Sequence, residues 1–475
     1  MVFMLSLLFL GLRGTSWKRG VHDEKRARRC RFTEGKAPDY SLRVRPLVHY
    51  SSGFFLFLAV LIPTHTMSAQ SQVPATRELV WPAPGQEIRT PQFSPDGDFI
   101  TLVTRGYVPD GADAEGLPDS FFKALEAKEK ADPRFADPVI KLIDLRGNVT
   151  CEVKYGWNPT VSRDNKRVVF SEQVKPITGF RALASPMDGN GIRMYDCGTK
   201  ETAKIADPHT GYLDKPFFSS DEGSIIYTDN EAVNGSFGGS VGIAQFDLRQ
   251  NKEITLVSKK TVAAVPCPPT GSKESGLEAF KCSQVKNLTS SFPQIVYDVS
   301  LVGNDIVALL GMPLPMAGDM YMTDSYDMSL ASVFPVQRTV LALGKRKAES
   351  WDESAFQAVS GERVLIFSQY WKLFSVFTEK PLADFGPRNT NLKSIYSPDL
   401  KYYLCAEAAQ RGEDPDHFVL YRTADGKRLE SLPRMALAYG AVWSPESNRF
   451  AIVGVPMAGS RATHHVEELV IYSVR

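Results

Sequence analysis

FSPDGDFITLV, residues 93–103, is the stretch that decides the fold. An aromatic residue leads into a tight polar turn, and an apolar run follows. Pro presets φ at the first turn position, Asp can bond the backbone two residues on, and Gly tolerates positive φ. The stretch reads as the turn of a hairpin. The same shape returns in TVSRDNKRVVFSE (160–172), FFSSDEGSIIYTD (217–229), IYSPDLKYYLCAE (395–407) and VWSPESNRFAIVG (442–454). Two weaker copies are DVSLVGNDIVALL (298–310) and QAVSGERVLIFSQ (357–369), which brings the number to seven.

After most copies comes a second strand–turn–strand pair, as in VIKLIDLRGNVTCEV (139–153) and FVLYRTADGKRLESL (418–432). Each unit is therefore four short strands separated by turn residues. Four-stranded units repeated along a chain are the signature of a β-propeller. The expected fold is an all-β propeller of four-stranded blades with loop or helix insertions on one face. Seven blades is the expected number, with six and eight as the alternatives. The strand after each turn is apolar at successive positions, as in Ile100, Leu102 and Val103. A strand buried on both faces reads this way, and an inner propeller strand lies between two neighbouring blades. Asp96, Asp164, Asp221 and Asp399 are then structural turn residues, not paired catalytic carboxylates.

The S-P-D turn with a preceding aromatic, in Phe93-Ser94-Pro95-Asp96-Gly97, Tyr396-Ser397-Pro398-Asp399 and Trp443-Ser444-Pro445-Glu446, resembles the repeat of TolB-like propellers. The resemblance spans roughly 85–475. It implies the fold and leaves the activity open, because such propellers serve as scaffolds, peptidase domains and lyases alike.

The net charge of +1 hides an asymmetry. Residues 1–71 hold 11 Lys and Arg against 4 Asp and Glu, which leaves 44 basic and 50 acidic residues in the body. A mildly acidic body with no basic stripe argues against nucleic acid as a partner. GFFLFLAVLI (53–62) is an apolar core preceded by Arg43 and Arg45 and followed by Ala69-Gln70-Ser71 as a cleavage candidate. That order reads as a secretory signal, and the core is short for a bilayer span. The expectation is a 1–71 leader, a single propeller domain over 72–475, and a periplasmic or secreted protein with no integral membrane span after processing. A start site assigned too early is the expected reason for the depth of the core in the chain.

In a blade with strands a to d, the a–b and c–d turns share one face and the b–c and d–a connections share the other. The long insertions, 106–137, 230–240, 258–291, 311–328, 409–417 and 456–465, all fall in the second class. Loops on one side of a rigid scaffold are where binding concentrates. In the first insertion Asp119 is placed to cap a helix, with Phe121, Phe122 and Leu125 on one side. The residues closing strand b, Thr104, Glu172, Asp229, Gln369 and Glu407, ring this face and form a candidate binding set. His417 and His464 lie in its loops among carboxylates, so a metal ion held there is one alternative. No cofactor motif is present. Met316, Met320 and Met322 belong to a methionine-rich loop suited to apolar contact, to a partner, or to Cu(I). Gly238-Gly239-Ser240-Val241-Gly242 matches G-x-S-x-G but leads into a strand, the wrong context for a nucleophile elbow.

Of the cysteines, Cys267 and Cys282 sit 15 positions apart in one insertion and are the expected disulfide. Cys151 and Cys197 fall on outer strands of neighbouring blades, which splay apart with radius, so they are expected to stay reduced. Cys405, in an apolar run, is expected to be a buried free thiol. The function read from all this is an exported binding or scaffold module that presents its loop face to a protein or polysaccharide partner. The alternatives are a propeller-based lyase or hydrolase with a metal on that face, and periplasmic copper handling through the methionine loop.

Overall fold

The computed structural model describes residues 75–107, 119–175, 189–231, 241–263, 291–313, 325–335, 337–347, 356–359, 361–367, 371–376, 381–385, 394–408, 416–457 and 466–474. The strands form seven antiparallel four-stranded sheets and one two-stranded ribbon. Blade 1 comprises Gln86–Phe93, Phe99–Gly106, Val139–Asp144 and Val149–Lys154 as strands a to d. Blade 2 runs from Gly156–Val161 to Thr202–Ala206, and blade 3 from Tyr212–Phe218 to Lys252–Val257. Blade 4 runs from Ile295–Val302 to Arg338–Lys347, blade 5 from Phe356–Val359 to Ala383–Asp384, and blade 6 from Ile395–Tyr396 to Arg428–Ser431. The ribbon pairs Thr261–Ala263 with Ser291–Pro293 in the connection between blades 3 and 4. Helix α1, Asp119–Ala131, begins at Asp119 and buries Leu125 within the first insertion.

The repeated turn works through two side chains. In blades 1, 2, 3 and 6 the turn Ser donates its hydroxyl to the Asp two residues on: Ser94 to Asp96 at 2.6 Å, Ser162 to Asp164 at 2.5 Å, Ser219 to Asp221 at 2.7 Å and Ser397 to Asp399 at 2.8 Å. The same hydroxyl accepts the N–H five residues on, from Phe99, Arg167, Ser224 and Tyr402, each at 3.0 Å. The Asp in turn accepts the N–H two residues further along, so the hairpin is closed from both sides. These bonds hold the carboxyls of Asp96, Asp164, Asp221 and Asp399 below the usual range, against a cost of burial that is the largest single effect on Asp96 and Asp399. All four are turn residues, as expected.

Every a–b turn also contains one left-handed residue. Gly97, Gly303 and Gly361 take it in blades 1, 4 and 5, whereas Asn165, Glu222, Leu400 and Ser447 take it elsewhere at φ between +53° and +63°. Neighbouring turns are tied around this face. Asn165 donates to Asp96, Arg167 pairs with Glu222 at 2.7 Å, and the Asp399 N–H donates to Ser447 at 2.9 Å.

Seven apolar cores lie between successive blades rather than within them. Strand b of blade 1 shows why its run is apolar on both faces. Ile100 and Leu102 pack toward blade 7, while Val103 packs toward blade 2. In blade 6, Leu404 faces blade 7 while Tyr403 and Cys405 face blade 5.

Blade 7 closes the ring. Met435–Trp443, Arg449–Pro456 and Val466–Val474 supply strands a to c, and the N-terminal Ala75–Pro84 supplies strand d. Val80 lies opposite Val470 and Trp81 opposite Leu469. The seam removes the open edges that two unpaired termini would leave.

The cysteine pairing corrects the sequence reading. Cys151 and Cys197 form a disulfide with Cα atoms 5.6 Å apart. Cys151 is on strand d of blade 1, but Cys197 follows strand c of blade 2, one strand further in than the reading assumed. The two share the core between blades 1 and 2, close enough to bridge. Cys405 is fully buried as expected, but it is disulfide-bonded rather than a free thiol, and among the described residues no cysteine is free. Cys267 and Cys282 lie outside the described residues.

Candidate functional site

The end of strand b marks the rim of the loop-bearing face. Thr104 is fully buried there and donates to the Val139 carbonyl at 3.4 Å. Glu172 pairs with Arg193 at 2.7 Å, and Asp229 pairs with Lys259 at 2.7 Å. Glu407 accepts the Tyr421 hydroxyl and faces Arg428 at 3.9 Å. Burial, reinforced by Glu407, pushes the Tyr421 hydroxyl far above its ordinary value, so it remains a donor. Each rim carboxylate thus has a cation from its own blade or from the connection that follows. They stay spread around the ring rather than converging.

Blade 6 brings two of the candidates together. Glu407 and His417 are directly opposed across strands b and c. His417 is buried, its Nδ1 sits 2.6 Å from Asp416 Oδ1, and Arg434 approaches Asp416 at 3.5 Å. A carboxylate that orients an imidazole in this way is an arrangement proton transfer and metal ligation both use. Among the described residues, no three His, Cys, Asp or Glu groups gather to hold a metal. Gln369, Met316, Met320, Met322 and His464 lie outside the described residues. Met328, from the same methionine-rich stretch, is a core residue that packs with Leu309.

A further concavity lies elsewhere, and the sequence reading missed it. A cavity of about 590 Å³ occupies the central channel, walled by inner strands of blades 1 to 4 and by Val442 of blade 7. It extends to the a–b turns, the face opposite the long loops. Its shape follows from a repeated irregularity. Thr90, Asn158 and Lys215 are left-handed at φ +46°, +46° and +48°, and each precedes a proline: Pro91, Pro159 or Pro216. The strand register shifts at all three places. A residue before proline normally stays extended, and a left-handed side-chain-bearing residue costs about 1–2 kcal/mol. The proline also removes a backbone donor from the inner edge.

Polar groups cross between blades on this wall. Asn158 donates to Asp214 at 2.7 Å, and Thr160 donates to the Pro216 carbonyl at 2.9 Å. Lys215 Nζ stands 3.8 Å from Asp298 Oδ1, with both side chains about half exposed. Desolvation by the surrounding protein pushes the Asp298 and Asp214 carboxyls above their ordinary value, although Lys215 pulls the other way. The available sequence signal was the Thr-Pro, Asn-Pro and Lys-Pro pairs, each with its proline three residues ahead of the turn Ser.

No family model and no curated protein sequence matches the chain. Among solved structures, the chain is similar to the β-propeller domain of the Trilobed protease from Pyrococcus furiosus, described as having an open velcro topology. The TM-score is 0.43 at 10% identity, over 78% of this chain and 90% of that one. It is also similar to the β-propeller domain of Cps50 (Swd1) from Myceliophteria thermophila, with TM-score 0.42 at 10% identity over 82% of this chain and all of that domain. Both likenesses concern the fold alone. Among the described residues, no helix is long and apolar enough to cross a membrane.

Proposed function

We propose that the chain is an exported propeller that acts as a binding or scaffold module, with the loop-bearing face turned to a protein or glycan partner. The observation that carries this reading is the one-sided distribution of connections. All seven a–b turns are short, and the linked pairs among them brace one face. The long b–c and d–a connections, such as 107–138, 258–294 and 408–416, fall on the other. Rigid scaffolds with one elaborated face use it for recognition. Export is supported by the leader pattern and by the Cys151–Cys197 disulfide, since such bonds persist in oxidising compartments. The resemblance of the S-P-D repeat to TolB-like propellers is consistent with a periplasmic setting.

Two measurements test the reading. N-terminal sequencing of natively expressed protein begins near residues 70–76 if the leader is cleaved; a mature chain retaining residues 1–60 overturns export. Affinity capture from the native envelope fraction is then compared between the full chain and a variant with 264–290 and 409–415 replaced by short Gly-Ser turns. Loss of the captured partner supports the loop face, and undiminished capture overturns it. Metal analysis of the purified protein separates the alternatives, with Mn or Ca favouring an enzyme and Cu favouring copper handling through Met316, Met320 and Met322.

A further inference from the structure

The central cavity has a composition that selects a ligand class. Its four charged lining residues, Lys215, Arg163, Asp298 and Glu222, cancel in sign. Glu222 is already engaged by Arg167. Lys215 and Asp298 are not closed on each other. A direct ammonium–carboxylate hydrogen bond sits near 2.7–2.9 Å, and here the gap is 3.8 Å. Both ends are held. Lys215 sits at a left-handed bulge of blade 3, and Asp298 accepts the Val299 N–H at 2.9 Å in blade 4. A hydroxyl beside the pair, about 2.8 Å from each atom, can accept from Nζ and donate to Oδ1. The remaining polar lining, including Gln92 and Ser300, offers donors and acceptors on neutral groups. Pro159 and Phe217 supply apolar faces beside them.

We propose that the channel cavity is a binding site for a small neutral saccharide, with Lys215 and Asp298 bridged by sugar hydroxyls. Its volume falls within the range of about 300–1,000 Å³ typical of small-ligand pockets. A permanently charged ligand finds no net complementary charge there, whereas a polyol finds paired donors and acceptors with an apolar wall for its C–H face. The site lies on the face opposite the long loops and is independent of what those loops bind.

The test uses the full mature chain with ligand-observed saturation-transfer NMR, followed by calorimetry. The probes are glucose, cellobiose, maltotriose and N,N′-diacetylchitobiose, with inorganic phosphate as the anionic control and alanine as the zwitterionic one. The expected result is saturation transfer to at least one neutral saccharide, weakened about tenfold or more in Asp298→Asn and in Lys215→Met. Glu152→Gln, exposed on the outer strand of blade 1 and away from both the channel and the loop rim, leaves binding unchanged. Gln92→Leu provides a further channel variant should either charge change unfold the protein, as judged by its thermal midpoint. Transfer to none of the four saccharides overturns the proposal. So does binding of phosphate or alanine in their place, or saccharide binding that survives the channel variants.

Discussion

Replacing Cys151 and Cys197 together by Ala removes the bridge between blades 1 and 2 and leaves the other cysteines intact. The two residues are 46 positions apart. A bridge closing a loop of that length restricts the unfolded chain by about 4 kcal/mol in the loop-entropy treatment. The propeller spans about 400 residues, for which the unfolding entropy near the midpoint is about 0.8 kcal/mol per degree. The midpoint of the double variant is therefore expected about 5 °C below that of the parent. The assay is a thermal scan by circular dichroism under non-reducing conditions, with thiol alkylation and peptide mapping on the unfolded parent. Mapping should return a linked 151–197 peptide. A parent with alkylated Cys151 and Cys197, or a double variant with an unshifted midpoint, refutes the reasoning. The first outcome also removes the disulfide as support for export.

Three further outcomes are expected. Deleting 468–475 removes most of the strand that pairs with both Arg449–Pro456 and Ala75–Pro84, and should give insoluble protein; a soluble truncation with an unchanged midpoint argues against the seam. Ser397→Ala strands the Tyr402 N–H, which the fully buried hydroxyl now satisfies, and should cost about 1–3 kcal/mol in denaturant unfolding; no measurable loss means the Ser–Asp lock is ornamental. Asp214 carries a carboxyl raised above its ordinary value, chiefly by desolvation, so the folded state holds its proton more tightly than the unfolded state. Its ionisation therefore opposes folding at neutral pH, and the penalty fades as pH falls through the raised value. Asp214→Asn should raise the midpoint at pH 7 and not near pH 4; a gain that is independent of pH contradicts this.

The ring was legible because its turns use a small chemical vocabulary. Ser, Asp and a left-handed residue act locally, so FSPDG and IYSPD announce their geometry without help from the rest of the chain. Blades 4 and 5 lack the Ser–Asp pair at the turn, using Gly303 and Gly361 for the left-handed position, and were correspondingly fainter. The two strands of the seam, Ala75–Pro84 and Val466–Val474, likewise carry their strand character in their own residues. Pairing of Cys151 with Cys197 was not legible, since it depends on how blade 2 overlaps blade 1 in space. The channel escaped for a similar reason. Lys215 and Asp298 come from different blades, 83 positions apart in sequence, and only the curvature of the ring brings them within 3.8 Å. Of the candidate rim, Glu407 and His417 were brought together, while Glu172 and Asp229 proved to have partners of their own.

The seam between Ala75–Pro84 and Val466–Val474 also sets an order of events. It joins positions about 400 residues apart, so the N-terminal strand of the ring must wait for its C-terminal partner. Closing so long a loop costs little more than closing one half its length, because the entropy grows only logarithmically. The delay is a matter of timing. Until residues 466–474 emerge, the apolar side of blade 7 that meets blade 1 has no complete partner, and Ile88, Phe93 and Leu102 wait with it. Early blades can form one after another, but the circle cannot lock.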